Sequence, residues 1–322
     1  MLKIFKKLVV ISLVFVLLVS LGTTGVAFGK KIEIALITKN LINPFWITMK
    51  DGAMMAADDL GIKLTYYAPI KPDNVLEQIS IMESLIERKI DGIVVVPADS
   101  KGIIPGIEKA NKAGIPVATS NTRAFGGKIV GHVGVGNYDA AYTVAKYMLD
   151  KKLQGKGKII ILEGTPGSST GMERKRGFDD AVKEFPGITV LTSQTALYVR
   201  KEGMRVMENL LSRFPKIDLV LAANDEMALG AIEAIKAAGR MDEILVSGFD
   251  ANNDAVKAVA KKELVATVDQ GPIEQAYWAV VDVYAALKDH ARIPPYIATP
   301  AVLVDGSNVE EYLKERGLKV EK

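Results

Sequence analysis

Short runs of β-forming residues alternate along the chain with longer stretches that have helical periodicity. In the first half, the β-type runs cover residues 32–37, 63–67, 92–96, 116–119 and 129–134. One of the stretches between them places Val75, Ile79, Met82 and Ile86 on a single helical face. This βαβ repetition predicts a parallel sheet that is covered by helices on both faces.

A second series of the same kind follows. Its β-type runs cover residues 158–162, 189–192, 218–222, 244–247 and 265–268, again with helical stretches between them. The tail then adds a helix over residues 274–288, a break at Arg292-Ile293-Pro294-Pro295, and one last strand over residues 301–304. We therefore predict two similar α/β lobes, with a chain that crosses back between them through short hinge segments. Such hinges allow two lobes to close around a ligand.

The segment Asn43-Pro44-Phe45-Trp46 lies where the first strand gives way to a helix that runs from about residue 45 to residue 60. Asn is a favourable helix N-cap and Pro is suited to the first helical position. In an open α/β sheet, ligands bind in the crevice beyond the carboxyl ends of the strands. Phe45 and Trp46 are therefore placed to line that crevice, although two aromatics in a helix are also typical of a core.

Polar residues follow several of the predicted strands in the same way. Asn43 follows the first strand, Asn224 follows residues 218–222, Asp250 follows residues 244–247 and Gln270 follows residues 265–268. A turn or a helix cap would explain Asn224 and Asp250 equally well if each stood alone. Their joint position after strands of both lobes favours a shared binding site.

The N-terminus has the layout of a secretory signal peptide. Lys3, Lys6 and Lys7 precede a run over residues 8–21 that is apolar apart from two serines, and residues 22–29 are rich in small side chains. We predict that the chain is exported and that cleavage after Ala27 or Gly29 removes the signal peptide, which we assign to residues 1–29. A retained membrane anchor is the alternative.

Composition excludes several classes of function. The chain of 322 residues has a formal net charge of +3, and removal of the three N-terminal lysines makes it 3 − 3 = 0, so no nucleic-acid partner is expected. There are no cysteines and two histidines, which argues against thiol chemistry and a metal site. No nucleophile stands near a histidine base, and we predict neither catalysis nor a cofactor. The glycine-rich loop over residues 164–171 lacks the lysine of a phosphate loop, and we interpret it as a cleft-facing loop that caps a helix.

Three segments carry a resemblance to a known family. Residues 43–46, residues 223–231 (Ala-Asn-Asp-Glu-Met-Ala-Leu-Gly-Ala) and residues 248–250 (Gly-Phe-Asp) resemble the ribose-type periplasmic sugar-binding proteins, the solute receptors of ABC importers. The similarity spans about residues 31–305. It implies two Rossmann-like lobes with parallel sheets, joined by a three-segment hinge, with one monosaccharide in the cleft. The lobes would comprise residues 30–136 plus 271–298 and residues 137–270 plus 299–322.

The resemblance also implies partners and site residues. A membrane ABC permease would receive the closed form, a chemoreceptor is a further candidate partner, and the protein would be a monomer. A sugar needs aromatic rings against its C–H faces and polar groups around its hydroxyl rim. Phe45 and Trp46 would supply one stacking plate and Tyr198 the other. The implied polar rim comprises Asn43, Arg174, Asn224, Asp250 and Gln270.

The sequence departs from the family pattern at two places. After the strand over residues 116–119 the family has an Asp-Arg pair, whereas this chain has Asn121 and Thr122, with Arg123 one place later. Both Asn121 and Arg123 stay candidate ligand-binding residues, with Thr122 as the alternative to Arg123, and Trp46 replaces a second Phe. The ligand is therefore expected to be a pentose or hexose such as ribose, xylose, glucose or allose. The effector domain of a regulator and an autoinducer or chemotaxis receptor with the same fold are the alternatives.

Overall fold

A computed structural model describes residues 30–288 and 293–320. The predicted signal peptide, residues 1–29, lies outside the described residues, as do His290 and the last two residues. All described strands and helices lie between residues 33 and 320, and residues 30–32 have no regular secondary structure. In the described part of the chain, no helix combines the length and apolar character needed to cross a bilayer.

The first sheet has six parallel strands in the order β11-β5-β4-β3-β1-β2. Its strands are β1 (Glu33–Ile37), β2 (Lys63–Tyr67), β3 (Gly92–Val95), β4 (Val117–Ser120), β5 (His132–Val135) and β11 (Ile297–Thr299). Strands β3, β4 and β5 are buried along their whole length. That burial is expected of a parallel sheet with helices on both faces.

The second sheet repeats this arrangement in the order β12-β10-β9-β8-β6-β7. Its strands are β6 (Lys156–Glu163), β7 (Gly187–Thr195), β8 (Leu219–Ala222), β9 (Leu245–Ser247), β10 (Ala266–Asp269) and β12 (Val302–Asp305). All neighbouring strands are parallel except β12, which runs antiparallel to β10. The predicted fold of two α/β lobes with mostly parallel sheets is confirmed.

Helices cover both sheets. They are α1 (Pro44–Leu60), α2 (Val75–Glu87), α3 (Ile104–Lys112), α4 (Asn137–Tyr147), α5 (Ser169–Lys183), α6 (Arg200–Arg213), α7 (Asp225–Ala237), α8 (Asn253–Ala260), α9 (Pro272–Lys288) and α10 (Val309–Glu315). A π-helical segment, Met148–Lys152, continues α4. Helix α9 packs on α1 and on the first sheet, whereas α4 packs on α5 in the second lobe.

The chain passes between the two lobes three times: between β5 and β6, between β10 and α9, and between β11 and β12. The prediction of a single strand in the tail was wrong, because β11 precedes β12 and joins the other sheet. A strand of three residues that ends directly before Pro300 is too short to show a β-type pattern in the sequence. The lobe limits at residues 136, 270 and 298 stay a prediction.

Asp282 in α9 is a buried carboxylate that costs stability. It is 4% exposed, and its Oδ2 has no hydrogen-bond partner within the described chain. Burial raises the pKa of Asp282 from 3.8 to about 7. The Asp282 carboxyl therefore loses its proton near pH 4 in the unfolded chain but only near pH 7 in the folded chain. The free energy of unfolding falls as the pH rises from about 4 to about 7, and the full destabilisation persists above pH 7.

We expect Asp282→Asn to stabilise the protein, because the amide has a similar shape and no charge to bury. The gain in unfolding free energy should be on the order of 2–4 kcal/mol at pH 8 and smaller at pH 5. Denaturant unfolding at both pH values measures it, with the exposed Asp242→Asn as the matched control. An equal effect at the two pH values would contradict this explanation.

Candidate functional site

A cavity lies between the two lobes, at the carboxyl ends of the strands. Its lining side chains are Lys39, Asn43, Phe45, Trp46, Asn121, Thr170, Arg174, Tyr198, Asn224, Asp250 and Gln270. The structure thus brings together nine of the ten residues that were predicted from the sequence. The cavity measures about 20 Å3, close to the roughly 10–15 Å3 that one water molecule needs. A larger ligand therefore requires side-chain movement or separation of the lobes.

Asn43 lines the cavity and also caps a helix, as its position before Pro44 predicted. Its Oδ1 accepts a hydrogen bond from the Phe45 main-chain N at 2.9 Å, and Pro44 is the first residue of α1, so the predicted helix start is confirmed. The same Oδ1 accepts from Nδ2 of Asn252, in the second lobe, at 3.3 Å. Helix capping and contact between the lobes thus meet at one side chain.

The aromatic side chains surround the cavity but do not form two flat plates. The rings of Phe45 and Trp46 are 5.0 Å apart and nearly perpendicular, at 86°. Only one of them at a time can therefore stack flat against a sugar ring. Tyr198 has a φ of 60° and directs its hydroxyl to within 3.3 Å of Oγ1 of Thr170. The tyrosine ring lies in the second lobe, as the resemblance implied.

Arg174 in α5 is held from several sides. Its Nε donates to Oδ1 of Asn137 at 2.8 Å, and its Nη1 donates to the main-chain O of Ala223 at 2.7 Å. Its guanidinium lies 3.7 Å from the centre of the Phe249 ring. The planar donor fork is therefore fixed before any ligand arrives.

Asp250 pairs with this guanidinium. Its Oδ1 lies 3.5 Å from Nη1 of Arg174 and accepts from Nε2 of Gln270 at 2.6 Å. Burial raises the pKa of Asp250 to about 7, and the Arg174 charge opposes that rise. The main chain of Asp250 has a φ of 122°, which is rare for a residue other than Gly. Strain of this kind is typical of functional positions.

Asn224 and Asn121 occupy the remaining strand ends. Oδ1 of Asn224 accepts from the Met227 main-chain N at 3.0 Å and caps α7, while the side chain still lines the cavity. The cap and the site therefore do not exclude one another. Asn121 has a φ of 59°, a conformation that Asn tolerates better than most residues.

Arg123 is the predicted site residue that the structure does not place at the cavity. Its guanidinium lies 4.5 Å from the centre of the Tyr296 ring, and its main-chain N donates to Oγ of Ser169. Thr122 is buried and bonds to Asn121. The left-handed turn at Asn121 redirects the following residues, so the structure does not support the expectation that Arg123 contacts a ligand.

Sequence reasoning missed Lys39 and Thr170. Lys39 is 1% exposed, and its Nζ donates to Oγ of Ser168 at 3.2 Å. Nζ also lies 5.8 Å from the centre of the Trp46 ring and 5.7 Å from that of Tyr198. Burial lowers the pKa of Lys39 to about 8, although nearby Asp73 opposes that shift. The strand-end rule that selected Asn43 would also have selected Lys39, two residues beyond β1.

The lobes are closed on one another beside the cavity. The main-chain N–H of Ser100, in the first lobe, donates to the main-chain O of Gly167 at 3.0 Å. The Oγ of Ser100 accepts from the main-chain N–H of Ser169 at 2.9 Å. Ser168, the N-cap residue of α5, makes no capping bond of its own. The first lobe therefore caps a helix of the second, and Thr165 bonds to Asp73 nearby. The loop over residues 164–171 is thus cleft-facing, as predicted, but the expectation that this loop itself caps the helix was wrong, because the capping oxygen comes from Ser100.

The chemistry of the lining suits a ligand with many hydroxyl groups. Amide, guanidinium, ammonium and carboxylate groups each exchange hydrogen bonds with hydroxyls, and charge-assisted bonds are the strongest of these. Within residues 30–288 and 293–320, no group of three or more acidic, His or Cys side chains is arranged to hold a metal ion.

Comparisons with known proteins show the family to which the chain belongs. The family model for the periplasmic binding protein domain matches residues 34–291. The ribose import binding protein of Bacillus subtilis is 38% identical over 244 residues, which cover 76% of this chain and 77% of that protein.

Two solved structures show the same fold. An ABC transporter solute-binding protein from Actinobacillus succinogenes with bound D-allose is 34% identical, with a TM-score of 0.82 and coverage of 88% of this chain and 100% of that one. Another, from Bacillus halodurans with bound myo-inositol, is 30% identical, with a TM-score of 0.80 and coverage of 88% and 98%. The chain therefore belongs to the periplasmic binding protein family, among its ribose-type sugar-binding members.

Proposed function

We propose that this protein is an exported, non-catalytic receptor of an ABC importer that binds one monosaccharide between its lobes. The observation that carries the proposal is the cavity, where nine side chains selected from the sequence converge from both lobes. Aromatic rings and a rim of polar groups are the two features that a pyranose or furanose ring requires. Closure of the lobes would bury the sugar and create the surface that a membrane permease recognises.

The ligand class is a pentose or hexose such as ribose, xylose, glucose or allose. Relatives named for ribose and a structure with bound D-allose support this class. The structure with bound myo-inositol adds cyclic polyols to the range that a test should cover. Lys39 and Thr170 join the proposed binding residues, and Arg123 leaves them. Cleavage of residues 1–29 and a periplasmic location belong to the same proposal, as do a monomeric state and a chemoreceptor as a second partner.

Isothermal titration calorimetry of the mature protein against D-ribose, D-xylose, D-glucose, D-allose, xylitol and myo-inositol tests the proposal. We expect at least one of them to bind one to one with a dissociation constant of about 1 μM or lower, near −8 kcal/mol. Absence of heat and of any shift in melting temperature with all six would contradict it. A regulator effector domain would instead be found in the cytoplasmic fraction.

Binding is expected to depend on pH in both directions. Below about pH 7, Asp250 gains a proton and loses acceptor capacity; above about pH 8, Lys39 loses its proton and its charge-assisted donors. Affinity should therefore be highest between pH 7 and pH 8. Calorimetry from about pH 5.5 to about pH 9.5 measures the profile, and Lys39→Met should remove the alkaline decline while leaving the acid one. A variant that retains both declines would show that Lys39 does not contact the ligand.

A further inference from the structure

A glutamine behind the cavity connects two of its lining residues. Gln275, near the start of α9, is fully buried and is not among the lining side chains. Its Nε2 donates to the main-chain O of Gln270 at 2.6 Å, and its Oε1 accepts from Nδ2 of Asn121 at 3.1 Å. It therefore links the hinge segment that leads into α9 to a strand end of the first lobe.

Both hydrogens of the Asn121 amide are used within the protein. Nδ2 donates to Oε1 of Gln270 at 3.0 Å as well as to Oε1 of Gln275. A primary amide has only two N–H donors, so none remains for a ligand. Its Oδ1 accepts from Oγ1 of Thr122 at 3.3 Å, which leaves one of two lone pairs. Asn121 can therefore present a ligand with an acceptor only.

Gln275 decides which way the Asn121 amide points. Its Nε2 is held on the Gln270 main chain, and its Oε1 is thereby fixed toward Asn121. If the Asn121 amide turned over, its oxygen would face two carbonyl oxygens and both hydrogen bonds would be lost. Buried polar groups without partners are costly, so this orientation is strongly preferred.

Gln270 takes part in the same network through both ends of its amide. Its Oε1 accepts from Asn121, from Nη2 of Arg174 at 3.3 Å and from Nε2 of Gln275 at 3.5 Å, while its Nε2 donates to Asp250. The oxygen is therefore fully occupied, and the nitrogen is directed toward the carboxylate. The hinge network thus fixes the hydrogen-bonding character of two lining amides from behind the cavity.

We propose that Gln275 is a positioning residue that makes Asn121 a hydrogen-bond acceptor and so selects a ligand whose hydroxyl donates at that point. The inference rests on the proposed function, since it names what one part of the sugar site recognises. Gln275 itself touches no ligand. It acts through the amide of Asn121 and links ligand selection to α9, the helix that follows the second crossing between the lobes.

A double-mutant cycle with Asn121→Asp and Gln275→Leu tests this. The probe is whichever member of the six-compound panel (D-ribose, D-xylose, D-glucose, D-allose, xylitol and myo-inositol) binds the wild-type protein most tightly. In Asn121→Asp, a carboxylate faces two carbonyl oxygens, and affinity should fall about 10-fold. In Gln275→Leu, the Asn121 amide gains a free donor, and affinity should again fall about 10-fold.

The double variant should lose about 10-fold, not about 100-fold, because leucine removes one of the two oxygens that repel the introduced carboxylate. The ratio of dissociation constants between the two tightest panel members should also change in Gln275→Leu, which a purely structural role would not cause. Melting temperatures of all variants separate folding from recognition. If the two losses of affinity multiply in the double variant and Gln275→Leu leaves the ratio of dissociation constants unchanged, the inference about Gln275 is overturned while the proposed function stands. A wild-type protein that binds no panel member would overturn the proposed function, and this inference with it.

Discussion

Asp250→Ala is expected to abolish sugar binding, with a loss of affinity of roughly 100-fold or more. Asp250 is the one carboxylate among the described residues that line the cavity. A carboxylate can accept from two neighbouring hydroxyls, and each bond to a charged group contributes about 1.5–3 kcal/mol. Its removal also leaves the Arg174 guanidinium, whose side chain is 3% exposed, without its ion-pair partner. Calorimetry with the tightest panel ligand measures the loss.

Asp250→Asn provides the matched comparison, because it keeps the shape and removes the charge. We expect it to retain the fold, as seen by circular dichroism, and still to bind about 10-fold or more weakly than the wild-type protein. Near wild-type affinity in both variants would remove Asp250 from the site. If Asp250→Ala binds weakly because it has lost its fold, Asp250→Asn still reports on recognition, because this second variant should keep the fold.

Gly167→Ala is expected to prevent full closure of the lobes. A Cβ at Gly167 would collide with Oδ2 of Asp99, which belongs to the opposite lobe. Gly167 also has a φ of 84°, so a side chain strains this loop as well. The contacts of Ser100 with Gly167 and Ser169 would then be disturbed. Affinity should fall about 10- to 100-fold, since each lost buried bond costs about 1–3 kcal/mol.

The variant Gly114→Ala separates the effect of backbone strain from that of the collision with Asp99. Gly114 has a similar φ of 75°, but a Cβ there would meet no atom within 4 Å. This control should lower stability and leave affinity unchanged. Small-angle scattering with saturating ligand should show a larger radius of gyration for Gly167→Ala than for the wild-type protein. Combining Gly167→Ala with Asp99→Ala should restore the smaller radius of gyration, because the colliding carboxylate is removed. An equal effect of both glycine variants on affinity would contradict the closure argument.

Much of the fold follows from periodicity, because each strand of a parallel sheet is a short apolar run. Strand β2 was predicted with its observed limits, and most of the others differ by a residue or two. Strand β7 is longer than predicted because its half-exposed residues break the apolar pattern. Strand β11 escaped prediction because it has three residues and takes its stability from pairing with β5, a contact between residues distant in sequence.

The sequence could predict those cavity-lining residues whose position directly after a strand was sufficient to place them at the cavity. Asn224 and Asp250 follow β8 and β9 and meet at one cavity, as parallel strands require. Arg123 could not be placed, because its direction depends on the positive φ of Asn121. Gln275 could not be found either, since its role arises from bonds to Asn121, 154 positions earlier, and to the hinge. Those contacts exist only once the lobes are assembled.

Trp46 allows a direct optical test of the central claim, that a sugar binds between the lobes. The protein has two tryptophans, and the other, Trp278, is 45% exposed on α9. In the variant Trp278→Phe, Trp46 is the sole tryptophan and lines the cavity. Titration with the panel sugars should change its emission saturably and with the stoichiometry and affinity found by calorimetry. Unchanged emission during a titration in which calorimetry detects binding would place the ligand elsewhere and contradict the account.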